Sequence, residues 1–292
     1  MLEVLAFALV MVAGYVARVV VEGVARKSNL YVALVTTLTR VVYYVLVPLG
    51  LAAVFLRRGL LLADLYVAVY YALLLATIYA VARHIKASSP EAFFLVSAFP
   101  NSVFLGFPVV IVLFGRIDIA AVFGTLTLLL NILVPEFMAK KKASLSALLG
   151  SPPLLGFAVG VAGHFTLGSL AEVVYEYLYW SPLLLSYTAT FVMGLRMPLK
   201  LSIEAYERKF IALVAACRFA IAPALALGVG FASSLSTTRV AELAVVAAMP
   251  PAVMNVVVAG RYNWEPELVA KTVAFLTVVF LVLVFPAIYL AL

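Results

Sequence analysis

The chain has 292 residues, of which 66% are hydrophobic and 11% charged, with a formal net charge of +7 at pH 7. An ordinary soluble domain is about a quarter charged, so most of this surface must be solvated by lipid, and the positive balance reflects membrane orientation rather than nucleic acid. A single cysteine, Cys217, excludes an internal disulfide and any cysteine-rich metal site.

Backbone polar groups in lipid must be satisfied internally, and the long uninterrupted apolar runs call for an all-α polytopic membrane protein rather than a barrel. A span needs about 20 mainly apolar residues to cross a hydrocarbon core of about 30 Å. Ten segments meet that requirement, at 3–22, 31–56, 60–82, 91–114, 118–138, 143–166, 169–195, 208–231, 240–260 and 267–290. Met1-Leu2-Glu3 lacks the basic region of a secretory signal, so the first run is expected to be retained. Odd-numbered loops and their flanks carry 14 basic residues against 4 in even-numbered ones, the richest being Lys140-Lys141-Lys142, and Arg40 and Arg218 lie inside spans. The positive-inside rule then puts the odd loops in the cytoplasm of a multi-pass cell-membrane protein, with both termini extracellular. Trp180 and Trp264 fall at span ends, as interfacial anchors do.

In chain order, the first segment to break the pattern is span four, which contains Pro100-Asn101-Ser102 and then Gly106-Phe107-Pro108. Span five carries Asn131 in an apolar run, and span six carries Gly156-x-x-x-Gly160, a spacing that permits close helix packing. Span eight carries Arg218, and span nine carries Pro250-Pro251 followed by Asn255. Interior proline removes a backbone donor and clashes with the preceding turn, at about 3 kcal/mol or more. Pro100 and Pro250 each lie near the middle of a span and are 150 residues apart in a chain of 292. Spans four and nine run in opposite directions across the bilayer. These features predict two inverted five-helix repeats, 1–142 and 143–292, with broken helices four and nine crossing at the midplane. A half-helix beginning at midplane presents free N–H groups and a positive dipole end, a ready anion site. Pro100, Gly106, Pro108, Pro250 and Pro251 are the expected break residues, with Asn101 and Ser102 placed to cap the second half of span four.

At these two segments the sequence resembles the auxin efflux carrier family, whose fold is related to that of the bile acid:sodium symporters. The resemblance rests on Pro100 through Pro108 and on Ala248-Met249-Pro250-Pro251-Ala252 through Ala259 to Arg261-Tyr262. Weaker matches follow the same order at Gly14-Tyr15, Pro48, Ser151-Pro152-Pro153, Gly160, and Arg218 before Pro223. It implies ten helices with both ends outside, a scaffold from spans one, two, six and seven, and a mobile transport bundle from spans three to five and eight to ten. It also implies organic anion substrates such as carboxylates near the crossing, and a homodimer formed through the scaffold helices. The long cytoplasmic loop of the plant carriers is reduced here to little more than the three lysines.

The function expected is secondary transport of a small organic anion by alternating access. Asn101, Ser102 and Asn255 are the expected substrate contacts, with Asn131 and Arg218 in support. Arg218 can balance a substrate charge, snorkel, or bind carbonyls freed by the breaks, and Asn131 can line the cavity or bond another helix. A sodium- or proton-coupled symporter is the alternative, with Asp64, Asp118 or Glu136 as coupling groups. Glu136 is also four residues before Lys140, where an interfacial ion pair is expected. A non-transporting receptor or scaffold is a further alternative, one that needs neither break. No cofactor or metal site is expected, and no enzyme: only His84 and His164 are present, without a metalloprotease, nucleophile-elbow or phosphate-loop motif.

Overall fold

A computed structural model describes residues 2–24, 30–61, 64–84, 89–139, 151–196 and 203–292. Arg26, Lys27, Lys86, Lys140, Lys141, Lys142 and Lys200, and the boundary between residues 142 and 143, lie outside the described residues. Those described are helical, with no strand and a single isolated antiparallel bridge. Five helices among them are long and apolar enough to cross a membrane: Tyr31–Arg58, Leu65–His84, Asp118–Met138, Glu207–Ala232 and Pro266–Ala291. The chain is thus an all-α, multi-pass membrane protein.

Three of those long helices survive an interior proline by one device. π turns at Val42–Leu46, Cys217–Ile221 and Phe280–Val284 each end two residues before a proline: Pro48, Pro223 and Pro286. Proline cannot donate to the carbonyl four residues back and its ring collides with it. The wider turn absorbs the collision, since each closes on a five-residue bond, as from the Val47 N–H to the Val42 carbonyl. Pro135, inside Asp118–Met138, has no such turn.

The chain forms two compact units. The first comprises residues 1–61, 103–121 and 145–199. In it, helix Leu2–Val24 packs on Ser181–Arg196 where Gly14 meets the Phe191 carbonyl and Gly194 meets the Met11 carbonyl. Helix Val47–Arg58 packs on Pro152–Leu167 in the same way, with Gly156 against Pro48 and Gly160 against Ala52. A Cβ on Gly160 would lie 2.6 Å from the Ala52 carbonyl oxygen, so the backbones meet at a distance only glycine allows. Polar ties join further helices of this unit: the Tyr31 hydroxyl donates to the Leu195 carbonyl at 2.8 Å, and Arg196 donates to Thr39 Oγ1 at 2.8 Å. The predicted span at 169–195 divides into Leu170–Leu178 and Ser181–Arg196, with Trp180 in the intervening turn and Pro182 in the first turn of the second helix.

The second unit comprises residues 62–102, 122–144 and 200–292. Its core stacks Tyr70, Tyr71 and Phe123 at ring-centroid distances of 4.9 to 5.5 Å. Helix Ala205–Ala216 opens with a reciprocal cap, in which Glu207 accepts the Glu204 N–H at 2.8 Å. The other oxygen of Glu207 takes Lys271 at 2.8 Å, so this buried carboxylate is fully engaged.

Candidate functional site

Both interrupted segments follow from local sequence. The first half of span four, Pro90–Ala98, opens with Ser89, whose hydroxyl accepts the Ala92 N–H at 3.2 Å, then Pro90 and Glu91 in the first turn. It ends where Pro100 disfavours helical geometry in its predecessor: Phe99 is extended, at φ −109° and ψ 102°. Helical structure resumes at Ser102. In span nine, Thr237–Ala247 stops before Pro250-Pro251, and Met254–Tyr262 follows.

At the two breaks the chain pairs with itself. Pro100 lies opposite Pro251 in an antiparallel bridge. Neither ring has an N–H, so the following residues donate: Asn101 N–H to the Pro250 carbonyl at 2.7 Å and Ala252 N–H to the Phe99 carbonyl at 3.0 Å. Backbone groups released by one break are thereby satisfied by the other.

Two expected break residues do not break the helix. Gly106 is right-handed helical, at φ −63°, and Pro108 lies in the first turn of Phe107–Phe114. The π turn Ser102–Gly106 makes room for Pro108 as the other π turns do for their prolines. The interruption in span four is therefore confined to Phe99 through Asn101.

The structure gathers Asn101, Ser102, Asn131, Asn255 and Arg218 into the second unit, all of them buried. Asn131 Nδ2 donates to Asn255 Oδ1 at 3.0 Å, and Asn255 Nδ2 donates to the Phe99 carbonyl at 3.0 Å. Ser102 does not cap the turn that follows it. Its hydroxyl donates to Thr127 Oγ1 at 2.9 Å, and Thr127 is also bonded to the Tyr71 hydroxyl. Thr127 and Asn131 are one turn apart on Asp118–Met138, so one helix face supplies both partners. Neither Thr127 nor Tyr71 was among the sequence candidates. The available signal was a hydroxyl one turn from Asn131 and a Tyr70-Tyr71 pair within an apolar span.

Arg218 is fully buried and turned toward the breaks. Its Nε donates to the Met249 carbonyl at 3.0 Å, Nη1 to the Ser97 carbonyl at 3.1 Å, and Nη2 to the Ala247 carbonyl. Of the three roles open to it, binding carbonyls freed by the breaks is the one seen. Among the described residues no carboxylate pairs with it. Its countercharge is instead the negative end of two helices, each carrying about half an elementary charge. At the opposite, positive ends the first N–H groups past the breaks have local backbone partners, Ser102 the Pro100 carbonyl at 2.9 Å and Asn255 the Ala252 carbonyl at 3.1 Å.

Glu136 pairs with Arg261 at 3.4 Å, and its expected partner Lys140 lies outside the described residues. Glu242, on Thr237–Ala247, is completely buried and escaped notice because it sits two turns before the prolines.

Residues 186–289 match the family model described as membrane transport protein, the family of the auxin efflux carriers. The resemblance noted at the proline motifs thus holds over this stretch, which includes Arg218, Pro250, Pro251 and Asn255 and stops short of Pro100 and Asn131. The description of the matched family is that of a carrier. No protein of curated function matches the chain.

Proposed function

Taking the membrane transport match as premise, we propose that the chain is a secondary carrier of a small organic anion such as a carboxylate, working by alternating access. The anion sits where helical structure resumes after each break. Asn101 and Ser102 contact it from one side and Asn255 from the other, with Asn131 holding the Asn255 amide. Arg218 acts mainly through the field, because three of its five N–H donors, one on each nitrogen, are already committed to carbonyls.

The observation carrying this reading is that a fully buried arginine is neutralised by helix carboxyl ends rather than by an acid. A cation carrier would gain nothing from a fixed positive charge there, whereas an anion carrier needs the N-terminal dipole ends to dominate.

The same reading takes the chain as ten spans in two inverted repeats, with both termini outside the cell and a homodimer formed through the first, second, sixth and seventh spans. The half-helices support it. Pro90–Ala98 and Met254–Tyr262 have 9 residues each, about 13 Å of rise, so each is long enough for about half the depth of the bilayer and neither crosses alone. Uptake of labelled carboxylates into proteoliposomes tests the proposal. Saturable uptake reduced by Asn101→Ala, with normal membrane insertion, is the expected result; equal uptake by both proteins would refute the site.

A proton-coupled symport is the second reading, favoured by the fully buried carboxyl of Glu242 on the broken segment. Uptake that follows an imposed pH gradient separates it from uniport.

A further inference from the structure

We propose that Arg218 is a built-in cation filling an oxygen-lined site that an alkali-metal ion would otherwise occupy, so that the carrier operates without sodium. Ser97, Ala247 and Met249 come from two segments far apart in sequence, yet their carbonyls converge on one guanidinium, with Nη1 to Ser97 at 3.1 Å and Nε to Met249 at 3.0 Å.

Two of these carbonyls are available because the breaks stripped them of helical partners. The Ala247 carbonyl would bond the N–H of residue 251, which is proline. The Ser97 carbonyl would bond the Asn101 N–H, but that group is committed to the Pro250 carbonyl at 2.7 Å. Unwound backbone carbonyls and half-helix carboxyl ends are what coordinate a monovalent ion in transporters with broken helices. Hard cations take such oxygen sets, completing the shell with water. A charge tethered to residue 218 occupies that position permanently, and a second cation cannot share it.

The tether is itself built. Pro223 is accommodated by the π turn Cys217–Ile221, and that turn sets the rotation at which residue 218 leaves its helix. The inference rests on the carrier reading for its physiological consequence, but the site itself does not depend on what is carried.

The test is thermal unfolding of the purified full chain, in about 150 mM sodium chloride and in choline chloride at the same strength. Wild type and Arg218→Lys, each holding a charge in place, should unfold at the same temperature in both salts. Arg218→Ser should unfold lower than wild type in choline and gain about 3 °C or more in sodium, as a newly opened cation site binds. A sodium-specific shift in wild type would overturn the proposal, as would Arg218→Ser that responds no more than Arg218→Lys or folds in neither salt. The readout involves no transport, so failure to carry organic anions would leave this result standing, and the reverse holds too.

Discussion

The Phe99 carbonyl accepts two hydrogen bonds from the far side of the chain's second break, one from the Ala252 N–H and one from the Asn255 side chain, both at 3.0 Å. Asn255 is thus a clasp as well as a proposed substrate contact: one end of its amide holds Phe99 and the other accepts Asn131. Asn255→Ala should destabilise the protein by about 1–3 kcal/mol, because it leaves the Asn131 amide buried without its acceptor. Asn255→Asp should be worse for transport, lowering anion uptake at least about tenfold below Asn255→Ala, since a carboxylate brings negative charge to the proposed anion site. Thermal unfolding and uptake kinetics on the same preparations check both.

Thr127 carries a pair of contrasting predictions. Thr127→Val removes the acceptor that Ser102 uses at 2.9 Å and the partner of the Tyr71 hydroxyl. Two buried hydroxyls then lose a partner, so unfolding should come several degrees earlier, on the order of 2 kcal/mol. Thr127→Ser keeps the oxygen and should restore most of the loss. If valine and serine behave alike, the hydroxyl chain contributes nothing.

Pro223→Ala should impair transport although residue 223 touches no substrate. Without the ring collision the π turn can relax to an α turn, and losing one residue of winding rotates residue 218 by about 100°. Arg218 would then miss the Ser97 and Met249 carbonyls, and the variant should share the transport defect of Arg218→Ala. Normal uptake by Pro223→Ala would show that the turn does not aim Arg218.

In the first unit, Gly156→Val should destabilise without reaching the anion site. Its Cβ would run into the Pro48 backbone, and a rigid branched side chain cannot move aside; overpacking of this kind costs about 1–3 kcal/mol. The expected result is a lowered unfolding temperature with an unchanged KM for the fraction that remains folded, read from paired melting and uptake curves.

Composition and proline placement made the helical class and both interruptions legible in the sequence, because lipid forbids irregular backbone unless something pays for it. The partners at each interruption were not legible. The Pro100–Pro251 bridge depends on tertiary pairing across 151 residues, which no local pattern encodes. Gly106 and Pro108 were misread for a related reason: a π turn and a break answer the same local clash, and only neighbouring packing selects between them. Arg218 was visible as an intramembrane charge, but its role depended on where three carbonyls ended up. Glu242 and Thr127 illustrate the opposite limit, ordinary residue types whose significance appears only with burial.

An engineered cysteine at Asn101, in a Cys217→Ser background, gives the sharpest reading of whether an anion enters the crossing. Asn101 is 2% exposed in this conformation, so reagent reaches it only when the carrier opens. A membrane-impermeant thiol reagent should label Asn101→Cys in sealed vesicles, and a transported carboxylate should slow that labelling in proportion to its occupancy. Labelling that is absent from both membrane faces, or indifferent to every carboxylate that the protein carries, would contradict an anion site at the paired breaks.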